Sequence, residues 1–198
     1  MHTAFRGILF LAISGVANSA VLTFDDVSVT TGIDYIYDGY GGFDWDNGAG
    51  VNHDIRVINS TNPSYVGTGY ANGTVSGDYV AWNYAAKTPV QIDLVGLGTF
   101  EFNGAYFTSA WSDQQISFEG YNDGSLVYSS SSYSLNTTDP LWIELNWSEI
   151  DSLVISSGAE SQWAMDNFTS TIVPIPAAVW LFGTGLGLLG WMRRKQTV

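Results

Sequence analysis

The chain has 198 residues, no cysteine and a formal charge of −13, and the absence of cysteine excludes disulfides and thiolate metal sites. Between residues 21 and 172, only Arg56 and Lys87 oppose all 19 acidic side chains, which gives this part a formal charge of −17. Such a surface repels nucleic acid and anionic lipid headgroups, so we expect no nucleic-acid partner; cations and neutral sugars fit it better.

Residues 1–20 are predicted to be a secretory signal peptide. Arg6 precedes the apolar run Gly7–Val16, and small residues follow up to Ala20. A charged start, an apolar centre and a small-residue end are typical of such peptides. We therefore expect cleavage directly before or after Ala20, and a buried N-terminal strand or helix is the alternative.

Residues 21–172 are predicted to form an all-β body, a single antiparallel β-sandwich of the jelly-roll type. Apolar and polar residues alternate along several runs, which indicates strands with one buried face. The pair Asp123–Gly124 between two such runs predicts a hairpin, because a tight turn needs positive φ there. The clearest runs are Gly98–Phe107, Gln115–Tyr121, Leu141–Trp147, Ser152–Ser157 and Trp163–Ile172.

A Gly-rich stretch near the start of the body concentrates aromatic residues. Such rings beside Asp and Asn side chains are typical of sugar-binding surfaces, because rings stack on sugars and the polar groups bond hydroxyls. We expect Phe43 and Trp45 to plug the core instead. The stretch leaves Tyr35, Tyr37 and Tyr40 open as ligand-binding candidates.

Catalytic motifs are incomplete in this sequence. Glu149-Ile150-Asp151 resembles the start of the Glu-x-Asp-x-x-Glu strand of laminarinase-like hydrolases, but Val154 stands at the position of the second Glu, and such hydrolysis needs two carboxylates. A turn before the next strand is the simpler interpretation. His53 is the single histidine after residue 20, and we expect it in a solvated loop.

Two sets of acidic residues are candidate calcium sites. Asp44–Gly50 fails as an EF-hand loop and is expected to be an Asx-rich turn. The other set is Asp25, Asp26 and Asp166, at the two ends of the body. First and last strands of jelly-roll folds often lie side by side, so these carboxylates are predicted to meet there, where a structural Ca²⁺ would relieve their repulsion.

Residues 173–198 combine a proline motif, an apolar segment and a basic end. Ala177–Met192 is 16 residues long, about 24 Å as a helix, which predicts a short transmembrane helix. The following cluster is expected to stay cytoplasmic by the positive-inside rule, which places the body outside. The cluster consists of Arg193, Arg194 and Lys195.

This tail resembles the PEP-CTERM class of bacterial sorting signals. The motif Val173-Pro174-Ile175-Pro176-Ala177 is most similar to the VPLPA-type variant, with Ile175 in place of the usual Leu. The resemblance implies a Gram-negative bacterium, export across its inner membrane and transient anchoring. It also implies an exosortase-type sorting enzyme as partner, final placement on the cell surface or outside the cell, and an association with secreted polysaccharide.

The body also resembles a jelly-roll domain of secreted proteins that is similar to concanavalin-like and carbohydrate-binding sandwiches. The segments that carry this resemblance are FDDV, DGYGGFDW, GYANGTVSGDYVAWN, GYNDGSLVY, IDSLVISS and WAMDNFT. Together, these observations predict a non-enzymatic, exosortase-sorted surface or matrix protein with a polysaccharide partner. A polysaccharide hydrolase or lyase and a purely structural or adhesive module are the alternatives.

Overall fold

The computed structural model of the chain describes residues 17–27, 32–45, 54–158 and 161–174. These residues form two antiparallel sheets, called sheet A and sheet B, with an aromatic core between them. The predicted antiparallel β-sandwich is thus confirmed for the described part of the chain.

Sheet A has seven described strands. Across the sheet they are β11 (Leu141–Ile150), β7 (Gly98–Ser109), β13 (Trp163–Pro174), β5 (Tyr79–Asn83), β4 (Ile55–Asn59) and β2 (Ile33–Tyr35), and β1 (Asn18–Leu22) also pairs with β13. Sheet B has six: β10 (Tyr133–Leu135), β8 (Gln114–Asn122), β12 (Ser152–Ser157), β6 (Val90–Leu94) and β3 (Phe43–Asp44), and β9 (Ser125–Ser129) also pairs with β8.

The core forms because one side of each long strand is apolar. Inward-facing rings from both sheets meet in edge-to-face and stacked pairs, which are favourable arrangements for aromatic side chains. Phe102 of sheet A lies 4.9 Å from Phe168, centroid to centroid, and Phe107 lies 5.2 Å from Phe118 of sheet B. Alternation along β7 and β8 therefore predicts the buried faces correctly.

The turn between β8 and β9 confirms the predicted hairpin. Asp123 has φ 49° and Gly124 has φ 70°. Left-handed conformation at both turn residues matches the right-handed twist of the flanking strands.

The first and last described strands lie side by side, as predicted. β13 bonds to β7 along one side. Along its other side, its first residues pair with β5 and its later ones pair with β1, from Leu22 opposite Phe168 to Asn18 opposite Ile172. Sheet A also continues through Val173 and Pro174, the first residues of the proline motif, which pair with the start of β7.

The outer face of sheet A carries a second apolar cluster. The one described α-helix, α1 (Gly69–Asn72), packs there and buries Tyr70 against Trp82 of β5. The cluster consists of Ile58, Tyr70, Val80, Trp82, Ala110 and Ala164.

Several sequence predictions fall on residues that the structure does not describe. They concern His53, the stretch from residue 46 to residue 50, most of the signal peptide and residues 175–198. Within the described ranges, no helix has the length and apolar character that a membrane crossing requires.

Candidate functional site

An open groove of about 800 Å³ crosses the outer face of sheet B. Its floor is formed by β6, β12 and β8. The turns after β6 and β8 and the turn before β12 form one end, and Pro89 and Ser156 line the other. The described lining residues are Pro89, Gln91, Asp93, Leu94, Gly96, Leu97, Gly98, Glu119, Tyr121, Gly124, Asp151, Ser152, Val154 and Ser156.

Strand alternation explains why these side chains meet. On β6, Val90 and Ile92 point into the core, so the residues between and after them point outward. The pairing register then places Asp93 beside Ser152 and Ser152 beside Tyr121, and in the next row Gln91 beside Val154 and Val154 beside Glu119. The groove floor is therefore two rows of three side chains.

Hydrogen bonds hold the polar side chains of the floor in place. The Gln91 amide nitrogen donates to both carboxylate oxygens of Asp93, at 2.8 and 3.0 Å. The Tyr121 hydroxyl donates to Glu119 Oε2 at 2.8 Å, and this bond raises the pKa of Tyr121. The carboxylates of Asp93 and Glu119 thus face the groove in fixed positions. Binding of a ligand therefore costs less conformational entropy of these side chains.

Other groove features complete an amphipathic surface. Ser152 is 8% exposed, and its Oγ has no hydrogen-bond partner among the described residues. Leu97, 69% exposed, stands at one wall. Three of the lining residues are acidic, and none of the described ones is basic. The groove therefore offers hydrogen-bond acceptors and apolar contact, and it repels anions.

The Glu-x-Asp motif lies at one end of this groove. Asp151 occupies the turn between β11 and β12, and its Oδ2 accepts a hydrogen bond from the Asp123 backbone N–H at 2.7 Å. Glu149 is exposed near the end of β11. The turn interpretation is thus confirmed for Asp151 and wrong for Glu149, which lies on β11. Asp151 helps to position the hairpin turn at the rim.

The aromatic stretch of sequence divides into core and surface residues, and neither part lies in the groove. Phe43 and Trp45 are fully buried, which confirms their prediction as core plugs. Tyr40 packs against Trp45 and donates a 2.6 Å hydrogen bond to Asp26 Oδ1. Burial and this bond raise the pKa of Tyr40 above its ordinary value.

The other two tyrosine candidates, Tyr35 and Tyr37, have exposed side chains. Tyr35, on β2, is 38% exposed, and Tyr37 is 66% exposed. The Arg56 guanidinium lies between two rings, 4.4 Å from the Tyr35 centroid and 3.3 Å from that of Tyr84. Such cation–π contacts help to hold the Arg56 side chain in place. Ligand binding by Tyr35, Tyr37 and Tyr40 stays a prediction.

Two of the three acidic candidates for calcium, Asp25 and Asp166, accept hydrogen bonds from backbone amides, whereas Asp26 accepts one from the Tyr40 hydroxyl. Asp25 Oδ1 accepts from the N–H groups of Asp78 and Tyr79, at 2.8 and 3.2 Å. Gly77 has φ +53°, and a Cβ there would lie 1.9 Å from this carboxylate, so the loop needs glycine. Asp25 and Asp26 lie in a turn, although the sequence predicts that they lie on the first strand. The chain leaves sheet A after Leu22, so both residues fall outside that strand.

Asp166 holds the other half of the same loop. It is fully buried on the outer face of β13. Its carboxylate accepts from the N–H groups of Val75 and Ser76, at 2.7 and 2.8 Å. Burial raises the pKa of Asp166 although these bonds oppose the shift. Asp25 and Asp166 therefore fix one loop from its two ends.

Metal binding is not evident in the described geometry. Across the described ranges, no three His, Cys, Asp or Glu side chains are grouped so that they could hold a metal ion. Calcium at Asp25, Asp26 and Asp166 stays a prediction, and thermal unfolding with calcium and with a chelator would check it.

Comparison with known proteins identifies distantly similar solved structures. No protein-family model matches the chain, and no curated protein matches it either. Among solved structures, it is similar to the CBM22-1 xylan-binding domain from Paenibacillus barcinonensis Xyn10C. The TM-score is 0.41 at 12% identity, over 83% of this chain and 99% of that one.

A second solved structure is TmCBM61 in complex with β-1,4-galactotriose. Its TM-score is 0.32 at 14% identity, over 69% of this chain and 97% of that one. At this degree of similarity, neither domain establishes the ligand of this chain.

Proposed function

We propose that the described sandwich is a non-enzymatic domain that binds a neutral polysaccharide in the sheet B groove. The groove itself carries the proposal: it is open at the surface and combines fixed carboxylates, an amide, hydroxyls and an apolar wall. Sugar hydroxyls donate to carboxylates, and the C–H faces of sugars pack on apolar side chains.

The charge of the groove narrows the ligand class. Asp93, Glu119 and Asp151 line it without a basic residue among the described ones, so polymers rich in uronic acids or sulfate would be repelled. Neutral polysaccharides, or those with amino groups, fit this field. Both named neighbours bind polysaccharide fragments or xylan, which agrees with the proposal without carrying it.

A binding role suits the groove carboxylates better than acid–base catalysis. Asp93 and Glu119 lie on two strands separated by a third, so their Cα atoms are about 10 Å apart or more. Each one already accepts a hydrogen bond from its own strand neighbour. Incubation with a bound polysaccharide is therefore expected to release no reducing ends.

Glu119→Ala and Asp93→Ala are each expected to weaken polysaccharide binding about tenfold or more, because each removes a hydrogen-bonding charge from the groove. The measurement is affinity electrophoresis of the full chain in mild detergent against neutral and anionic polysaccharides.

Glu144→Ala is the matched control for the groove variants. Glu144 is exposed on sheet A and accepts a 2.7 Å hydrogen bond from Asn146 on its own strand, as Glu119 does from Tyr121. Its loss should leave binding unchanged. Equal binding by wild type and both groove variants would show that the groove is not the site.

We further propose that the chain is exported across the inner membrane of a Gram-negative bacterium and sorted by an exosortase-type enzyme to the surface or the matrix. The tail motif, its apolar segment and its basic end support this proposal. The observed strand adds one point: Val173 and Pro174 continue β13, so the sheet reaches the start of the motif.

Replacing both Pro174 and Pro176 by Ala is expected to block sorting, with uncleaved protein retained in the membrane fraction. Pro174 has no backbone N–H, so its replacement removes no donor from sheet A, and the sandwich should stay folded. Immunoblots of membrane, surface and medium fractions measure the effect. Maturation at the wild-type rate would contradict the sorting proposal.

A further inference from the structure

Trp111, in the turn between β7 and β8, is an exposed but fixed side chain. It is 57% exposed. Its Nε1–H donates to Gln162 Oε1 at 2.6 Å, so the only polar atom of the indole is satisfied within the protein. The exposed part is therefore the apolar ring.

A buried tyrosine supports this ring from behind. Tyr70 of α1 is 1% exposed and meets the Trp111 ring edge to face, with centroids 5.6 Å apart. Its hydroxyl donates to the same Gln162 oxygen at 3.0 Å. Tyr70 in turn packs on Trp82 of β5, with centroids 5.7 Å apart. The indole thus rests on the aromatic cluster of sheet A.

The turn that carries Trp111 is itself tied down. The Ala110 N–H donates to the Gln162 carbonyl at 2.9 Å, and the Gln114 side-chain amide donates to the same carbonyl at 2.7 Å. Ser109 Oγ bonds the Ser112 carbonyl across the turn. Stacking of a ligand on Trp111 therefore costs little conformational entropy of the protein.

The surroundings of the ring select the class of ligand. The next two residues, Ser112 and Asp113, are exposed and polar, so hydrogen-bonding groups border the ring. The charge of −17 in this part of the chain opposes anionic lipid and nucleic acid. A neutral sugar ring offers an apolar C–H face to the indole and hydroxyls to its polar neighbours.

We propose that Trp111 is the centre of a second carbohydrate-binding site, separate from the groove. The groove occupies the outer face of sheet B, whereas Trp111 rests on Tyr70 at the outer face of sheet A. The two packed sheets, about 10 Å apart, lie between these surfaces. One protein molecule then holds two polysaccharide segments and cross-links them. This bridging rests on the groove proposed above, but the Trp111 site does not.

Stoichiometry with short ligands tests the second site. Isothermal titration of the full chain with neutral hexasaccharides of glucose, xylose, mannose and galactose is expected to give two molecules bound per wild-type chain. Trp111→Ala should leave one, and Glu119→Ala should leave one. Trp111→Phe keeps a flat ring but loses the Nε1–H bond, and it should restore the second molecule if stacking is what matters.

The outcomes separate the two proposals. One ligand per wild-type chain, unaffected by Trp111→Ala but lost in Glu119→Ala, overturns the second site and keeps the groove. One ligand that is lost in Trp111→Ala and kept in Glu119→Ala overturns the groove and keeps the Trp111 site. Binding of no hexasaccharide by any variant overturns both. Cross-linking predicts, in addition, that wild type raises the viscosity of a long neutral polysaccharide and that each single variant does not.

Discussion

Asp166→Ala is expected to lower the free energy of unfolding by about 4 kcal/mol, because three partly buried backbone donors lose their acceptor, at about 1–3 kcal/mol each. These donors are the N–H groups of Val75, Ser76 and Asn167, all within 2.8 Å of the carboxylate. Urea unfolding followed by tryptophan fluorescence measures the effect. Asp113→Ala, at an exposed position, should change stability by less than about 0.5 kcal/mol.

The same residue predicts a pH dependence. Burial raises the pKa of Asp166 in the folded state above its ordinary value. At a pH between the unfolded-state and folded-state pKa values of Asp166, the folded state therefore binds a proton that the unfolded state does not bind. The stability gained by this protonation is lost as pH rises through the folded pKa.

Comparison with Asp166→Asn isolates the contribution of Asp166 protonation to the free energy of unfolding. As pH falls from about 7 to about 3, the wild type should gain stability relative to Asp166→Asn, which has no proton to take up. The opposite slope would show that the N–H bonds from Val75 and Ser76 outweigh burial. Such a result would contradict the raised pKa.

Asn83→Ala is expected to lower the free energy of unfolding by about 3 kcal/mol or more, since it removes three hydrogen bonds and takes away the acceptor of the buried Trp163 N–H. Asn83 is fully buried at the end of β5. Its amide nitrogen donates to the carbonyls of Lys87 and Ser161, each at 3.0 Å, and its oxygen accepts from the Trp163 N–H at 2.8 Å.

Asn83→Asp sharpens this prediction. It keeps the acceptor for Trp163 but places a carboxylate oxygen against the two carbonyl oxygens, so it should be at least as destabilising as Asn83→Ala at neutral pH. A milder effect of Asn83→Asp would contradict the assigned bonds. Asn103→Ala is the control, because its two side-chain bonds are 3.4 Å long and contribute little.

Local features of the fold were predictable from sequence because local chemistry determines them. Alternation identifies β7, β8 and β11, and the Asp123–Gly124 pair identifies its hairpin. The burial of Phe43 and Trp45 follows from their size and from the Gly-rich stretch around them. The alternation and the turn depend on neighbours within a few residues, whereas the rings that Phe43 and Trp45 pack against, such as Phe168, are distant in sequence.

The groove was not predictable in the same way. The polar face of β8 is visible in the alternation of Glu119 and Tyr121 with Phe118 and Gly120, and β6 shows the same pattern at Gln91 and Asp93. The sequence does not state that β12 lies between these two strands, and only that order joins the faces into one groove. Strand order is a long-range property that pattern alone leaves open.

The acidic residues at the two ends of the body show a different limit. The prediction that the terminal strands meet is confirmed, since β1 pairs with β13. The backbone amides that donate hydrogen bonds to Asp25 and Asp166 belong to the loop before β5. This loop is distant from both residues in sequence. Either a bound cation or a set of backbone N–H donors can stabilise a buried carboxylate. The sequence alone does not distinguish between them.

The place of β13 in sheet A has a consequence for the newly made chain. This strand bonds to β7, β5 and β1, yet it is the last described strand to leave the ribosome. Its pairs with β1 join residues about 150 positions apart, and contacts of such long range form slowly. Sheet A therefore cannot close until β13 has been made, and the edges of β7 and β5 that bond to it stay unpaired until then.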